Sequence, residues 1–185
     1  MDDATSRFAP APWSYAVKSA TFMFCAVIVA ASLAVIGLGV WFLKAGQPRT
    51  AYLNFATGAV FGLLLLLAAS FTPVEYTVDP KGVTVRQRGM LKRKIFRISL
   101  DNIAEIGPAD DAELFHGARL LNSAVGIFGI VGVYVGHDLN FGCYCTRKTG
   151  LVLLRFKRPR GIVKGIVISP ADREGFISAV QQMMN

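Results

Sequence analysis

The densest chemistry in this sequence is cationic. Residues 86–97 hold six cations, Arg86, Arg88, Lys92, Arg93, Lys94 and Arg97, and not one acid. Strand alternation predicts Arg86 and Arg88 on one face, and Arg93 and Arg97 on one face of the next strand. Such a cluster attracts phosphate or carboxylate, and beside a membrane each cation contributes about 1 kcal/mol toward anionic lipid. The same residues suit a solvated edge hairpin, where cations discourage edge-to-edge pairing and supply a positive-inside bias. A second run, Arg155-Phe156-Lys157-Arg158-Pro159-Arg160, reads as an exposed hairpin tip.

Cys143 and Cys145, with His116 and His137-Asp138, are the other residues able to do chemistry, as metal ligands. Zinc sites ordinarily use C-x2-4-C pairs. A C-x-C on one strand reads instead as two buried thiols beside a polar turn. No G-x-S-x-G, phosphate loop or H-E-x-x-H occurs. Asp110, Asp111 and Glu113 read as the solvated start of a short helix. No catalytic residue, metal ligand or cofactor is therefore assigned, and the chain is expected not to be an enzyme. Nucleic acid is not favoured either: no helix carries a basic recognition face, and a pI of 9.7 is shared with membrane-surface proteins.

The elements that position the cations begin with the composition. The 185 residues are 53% hydrophobic and only 17% charged, against about 25% charged in an average domain. The deficit lies in residues 1–71, which hold four cations (Arg7, Lys18, Lys44, Arg49) and two acids (Asp2, Asp3). Residues 72–185 keep the other 16 cations and 10 acids, a net +6. That pattern excludes a wholly soluble protein, a disordered chain and a disulfide scaffold. Residues 19–43 and 51–71 carry no charge, and each is long enough to cross a bilayer core as a helix. The linker 44–50 predicts a tight hairpin, with a short tail, 1–18, and the large part, 72–185, on one side. Five cations on that side (Arg7, Lys18, Lys81, Arg86, Arg88) against Lys44 and Arg49 predict cytoplasmic termini. Three cysteines without a plausible pairing fit a reducing compartment. Small residues at four-residue spacing, Ala26, Ala30 and Ala34 and then Gly58 and Gly62, predict close helix packing within the hairpin, with dimerisation through Gly58 and Gly62 as the alternative.

Residues 72–185 read as short strands ending in one helix. Segments 74–79 and 83–88 alternate around Asp79-Pro80-Lys81-Gly82, a turn with Pro second and Gly fourth. Segment 91–99 returns, 100–102 turns, and a fourth strand starts at Ile103. The uncharged, glycine-spaced stretch 120–136 reads as an apolar loop leading into a strand. Strands follow at 139–147, 151–156 and 162–169, the first two joined by a turn at Lys148-Thr149-Gly150. Ser169-Pro170-Ala171-Asp172 reads as a helix start with Ser169 as N-cap. Phe176, Ile177, Val180 and Met184 then form one apolar face.

The run YTVDPKGVTVRQRGMLKRKIFRISLDNIAEI, with Tyr144, Thr146, 151–154 and the SP-D-E-F element of 167–180, resembles bacterial pleckstrin-homology-like domains. Ser99 stands where that pattern more often has proline. The resemblance implies two orthogonal antiparallel sheets capped by the C-terminal helix, behind a two-helix membrane anchor. It also implies a non-enzymatic interaction module at the bacterial cytoplasmic membrane. The expected partners are anionic lipid, another membrane protein or a second copy; the alternative is an accessory or scaffold subunit of a transport or envelope complex.

Overall fold

The computed structural model describes residues 5–70, 72–88, 95–109, 114–125, 129–136 and 139–184. Helix α1 (Tyr15–Lys44) starts at Ser14, whose Oγ accepts from the Val17 N–H at 3.3 Å. A three-residue turn with Gly46 at φ 74° leads into α2 (Pro48–Ser70). Proline's missing N–H costs nothing at a first helical position, so α2 begins inside the predicted linker. Both helices are long and apolar enough to cross a membrane, and their large side chains mostly face outward, Leu33 and Leu53 among them.

The helix contact does not use the alanine row: Ala26, Ala30 and Ala34 are exposed. A Cβ on Gly39 would lie 2.7 Å from the Phe55 ring, and one on Gly58 would lie 2.9 Å from Ile36. Gly58 thus packs inside the hairpin as expected, whereas a Cβ on Gly62 would meet nothing within 4 Å. Small-residue spacing marks where backbones are able to approach, not which of several rows is used.

The rest of the chain forms two sheets and a helix. The first sheet has the order β1 (Ser6–Phe8), β2 (Pro73–Asp79), β3 (Gly82–Gln87), β4 (Ile95–Ile98), antiparallel throughout. A 3₁₀ turn, Leu100–Asn102, leads to the second sheet. Its strands in chain order are β5 (Ile103–Ala109), β6 (Arg119–Val125), β7 (Ile130–Val135), β8 (Asn140–Cys145), β9 (Leu151–Arg160) and β10 (Val163–Ile168). Their spatial order is β5-β9-β10-β8-β7-β6. Helix α3 (Arg173–Met184) caps the domain. Tyr76, Val78, Val83 and Val85 meet Ile103, Leu154, Ile166 and Ile168 in the core, with Phe176 and Val180 from α3. The predicted β2–β3 turn depends on Gly82 at φ 144°, because a Cβ there would stand 1.9 Å from the Ile98 carbonyl oxygen.

Four features depart from expectation. First, the described residues of the stretch 120–136 are not a loop: 120–125 and 130–135 are strands of an antiparallel hairpin, β6 with β7. Glycines such as Gly132 interrupt the alternation that announces a strand. Second, β8 and β9 are not neighbours. Strand β10 lies between them, parallel to β8 and antiparallel to β9, so the 146–150 turn strides over it, about 10 Å at ordinary strand spacing. Third, Ser169 is not the helix cap. It is fully buried beneath that turn, where its Oγ accepts from the Thr146 N–H at 2.8 Å, and Asp172 caps α3 by accepting from the Gly175 N–H at 2.9 Å. Fourth, the N-terminal tail belongs to the domain: β1 pairs with β2, the Ala11 N–H donates to Ser169 O at 2.7 Å, and Thr146 Oγ1 donates to Ala11 O.

Candidate anion-binding surface

The outer face of the first sheet is built by alternation. With Tyr76, Val78, Val83 and Val85 inward, Glu75, Thr77, Asp79, Thr84 and Arg86 point outward. Arg7 of β1 and Arg97 of β4 join them across the strands. A β-bulge between Pro73 and Glu75 sets the register, so Glu75 stands opposite Arg86. One open groove of about 460 Å³ is lined by Arg7, Phe8, Val74, Glu75, Arg86 and Arg88, and a neighbouring groove of about 300 Å³ reaches Arg97. Arg86 and Arg88 therefore share one face, as alternation predicts.

Two of the six predicted cations are matched by carboxylates from β2. Arg86 Nη1 lies 2.7 Å from Glu75 Oε2, and Arg97 Nη2 lies 2.6 Å from Asp79 Oδ2. Arg97 Nε also donates to Thr84 Oγ1 at 3.2 Å, and Arg7 approaches Glu75 at 3.8 Å. The segment 86–97 contains no acid, but its partner strand supplies two. Arg88 is exposed and makes no ion pair among the described residues. Lys92, Arg93 and Lys94 lie outside the described residues, as do Asp110, Asp111, Glu113, His137 and Asp138. Over the described face, four arginines oppose two carboxylates, a net +2.

Arg7 was missed in the sequence because β1 is three residues long and 65 positions from β2. Alternation in so short a stretch carries no signal. Arg88 is located more sharply than alternation alone allows: its N–H donates to the Thr72 carbonyl at 2.9 Å, two residues past the end of α2. The cationic end of β3 is thereby pinned to the foot of the second long helix.

The second basic run forms the β9–β10 hairpin. Strand β9 extends to Arg160, beyond the predicted Phe156, because Asn102 clamps it. The Asn102 side chain accepts from Arg158 N–H at 2.9 Å and donates to Arg158 O at 3.2 Å. Arg160 stands 5.2 Å over the Phe96 ring, and Arg155 lies 3.5 Å from Glu105. The thiols sit in a different setting. Cys143 and Cys145 are fully buried with Sγ atoms 3.3 Å apart, and Cys145 Sγ lies 3.4 Å from Val167 O. Burial pushes the Cys145 thiol well above its ordinary pKa, which keeps it protonated and unreactive. Among the described residues no group of three or more His, Cys, Asp or Glu is placed to hold a metal ion. No protein-family model, curated protein or solved structure matches the chain.

Proposed function

We propose that this chain is a membrane-anchored interaction module, without enzymatic activity, whose pleckstrin-homology-like domain engages the anionic leaflet of a bacterial cytoplasmic membrane. In this reading α1 and α2 cross the bilayer and both termini lie on the cytoplasmic side. The observation that carries it is the Arg88–Thr72 hydrogen bond, because it ties the basic strand end to the point where α2 leaves the bilayer. Aromatic residues support the same placement: Trp13 and Tyr15 flank one end of the hairpin, Trp41 and Tyr52 the other, as in the interfacial belts of membrane helices. Between Tyr15 and Trp41 a helix rises about 39 Å, enough for a hydrocarbon core of about 30 Å and part of the headgroup layers.

The test uses the full chain in nanodiscs of equal phosphatidylglycerol and phosphatidylcholine, with retained lipids counted by native mass spectrometry. Wild type retains phosphatidylglycerol preferentially, and less so in high salt. Reversal of Arg88, Lys92, Arg93 and Lys94 to Glu removes the preference; even three of the four facing the bilayer, at about 1 kcal/mol each, correspond to a factor of about 150. Equal retention of the two lipids by wild type refutes the reading.

A second reading, a dock within a membrane complex, is favoured by β6. It is one of the two outer strands of the six-stranded sheet and leaves Leu120 and Leu121 exposed, Leu121 to 65%. Such an edge is a template for a partner strand. Crosslinking in native membranes tests it: a stoichiometric protein crosslinked through 119–125 supports the dock, and none there removes it.

A further inference from the structure

We infer that the β8–β9 turn, through Arg147 and Lys148, binds the headgroup phosphate of an anionic phospholipid. The inference rests on the reading that α1 and α2 cross the bilayer. Both helices join the domain along one row of residues. On the α1 side, Ala11 lies three residues before the cap Ser14 and is held by Thr146 and Ser169. On the α2 side, Thr72 holds Arg88, and Pro73 lies against Gly129: a Cβ on Gly129 would stand 3.8 Å from Pro73 Cδ and 2.9 Å from Cys145 O. Thr146 follows Cys145 directly, so Ala11, Thr146, Cys145, Gly129 and Pro73 connect the two attachments. Arg147 and Lys148 are the next residues of the chain after Thr146 in that row.

Arg147 is pre-positioned there. Gly150 takes φ 64°, and a Cβ on it would lie 2.8 Å from Arg147 Nη2, so the guanidinium packs back against its own turn. Arg147 Nε is buried without a hydrogen-bond partner. The half-buried Arg147 side chain keeps part of its surface accessible, and phosphate oxygens are the acceptors a bilayer surface supplies to a guanidinium in quantity. Lys148 is exposed, with Nζ 5.6 Å from the Phe115 ring centroid. Unlike Arg86 and Arg97, none of Arg88, Arg147 and Lys148 is paired with a carboxylate among the described residues. The β9–β10 tip is another basic surface among the described residues, but β9 starts beside this turn and its tenth residue, Arg160, lies about 30 Å along the strand from it.

The experiment is the nanodisc assay on the full chain, read as the ratio of retained phosphatidylglycerol to phosphatidylcholine. Removing two cations by Arg147→Gln with Lys148→Gln is expected to lower the ratio about 30-fold, and Lys148→Gln alone about fivefold. Lys157→Gln with Arg158→Gln leaves it unchanged. A ratio within twofold of wild type for the Arg147/Lys148 variant, while the four-residue reversal at 88–94 abolishes it, overturns this inference and leaves the proposed function standing. No preference in wild type overturns both. An equal loss from the Lys157/Arg158 variant reduces the effect to overall charge and overturns the site. Displacement of the lipid by millimolar glycerol 3-phosphate overturns the lipid as its ligand in favour of soluble phosphate.

Discussion

Substituting Phe176 by Ala should unfold the cap of the domain before anything else. The ring is fully buried on α3, edge-on to Phe8 at 5.2 Å and to Tyr76 at 6.3 Å. It therefore joins three parts of the chain: the N-terminal strand, the first sheet and the C-terminal helix. A Phe→Ala change in a core costs about 3–5 kcal/mol, and edge-to-face aromatic pairs place this site toward the upper end. Helix α3 has 12 residues, a length at which an isolated helix is marginal in water, so its stability comes from packing. For a domain of about 120 residues, each kcal/mol moves Tm by roughly 3–5 °C, giving an expected loss of about 10–20 °C. Near-UV circular dichroism of the full chain in detergent reads the domain separately from the helical hairpin. Gln181→Ala, on the exposed side of α3, is the control and should shift stability by less than about 0.5 kcal/mol. A Phe176→Ala chain that melts within 3 °C of wild type would refute the claim that α3 closes the two sheets.

Three further outcomes follow from the same contacts. A fragment beginning at Thr72 lacks β1 and should melt lower than the domain in the full chain, and a peptide of residues 5–13 should restore stability; equal melting without the peptide would remove β1 from the folding unit. Ser169→Ala leaves the Thr146 N–H without its buried acceptor and should cost about 1–3 kcal/mol in denaturant unfolding; a cost below about 0.3 kcal/mol would mean the bond is replaced. Glu75→Gln frees Arg86 and Arg7 and should raise phosphatidylglycerol preference in nanodiscs by up to about fivefold; a lowered preference would show that the pairs position the cations instead.

How far the fold could be read from sequence depended on whether a pattern was local. The long uncharged runs, the β2–β3 turn around Gly82 and the apolar face of α3 are all set by neighbours within a few residues, and all three appear in the structure, except that Met183 and not Met184 packs on the core beside Phe176, Ile177 and Val180. What escaped were arrangements decided by distant residues. The insertion of β10 between β8 and β9 is invisible because a Lys-Thr-Gly turn looks the same whether it joins adjacent strands or crosses one. Ser169 carries a capping residue type, yet the buried Thr146 N–H claims its hydroxyl first. The basic segment 86–97 looked uncompensated because its acids, Glu75 and Asp79, precede it on β2. Arg147 and Lys148 form no run at all, and only the row from Ala11 to Pro73 shows where they stand.

In the proposed membrane-anchored arrangement, the N-terminal strand also changes what the anchor does. A domain joined to a helix only at Thr72 would be free to swivel about one flexible link, and its basic groups would sample every orientation to the bilayer. Here the second attachment, through Ala11 to Thr146 and Ser169, lies at the same edge, and β1 extends it along β2 for three further residue pairs. Two attachments remove the swivel at folding, so the orientational entropy is lost before any ligand is met. Cations held on that edge act as a fixed set instead of a tethered cloud. That is the condition under which two or three of them discriminate between headgroups and do more than add to the positive charge on one side of a membrane.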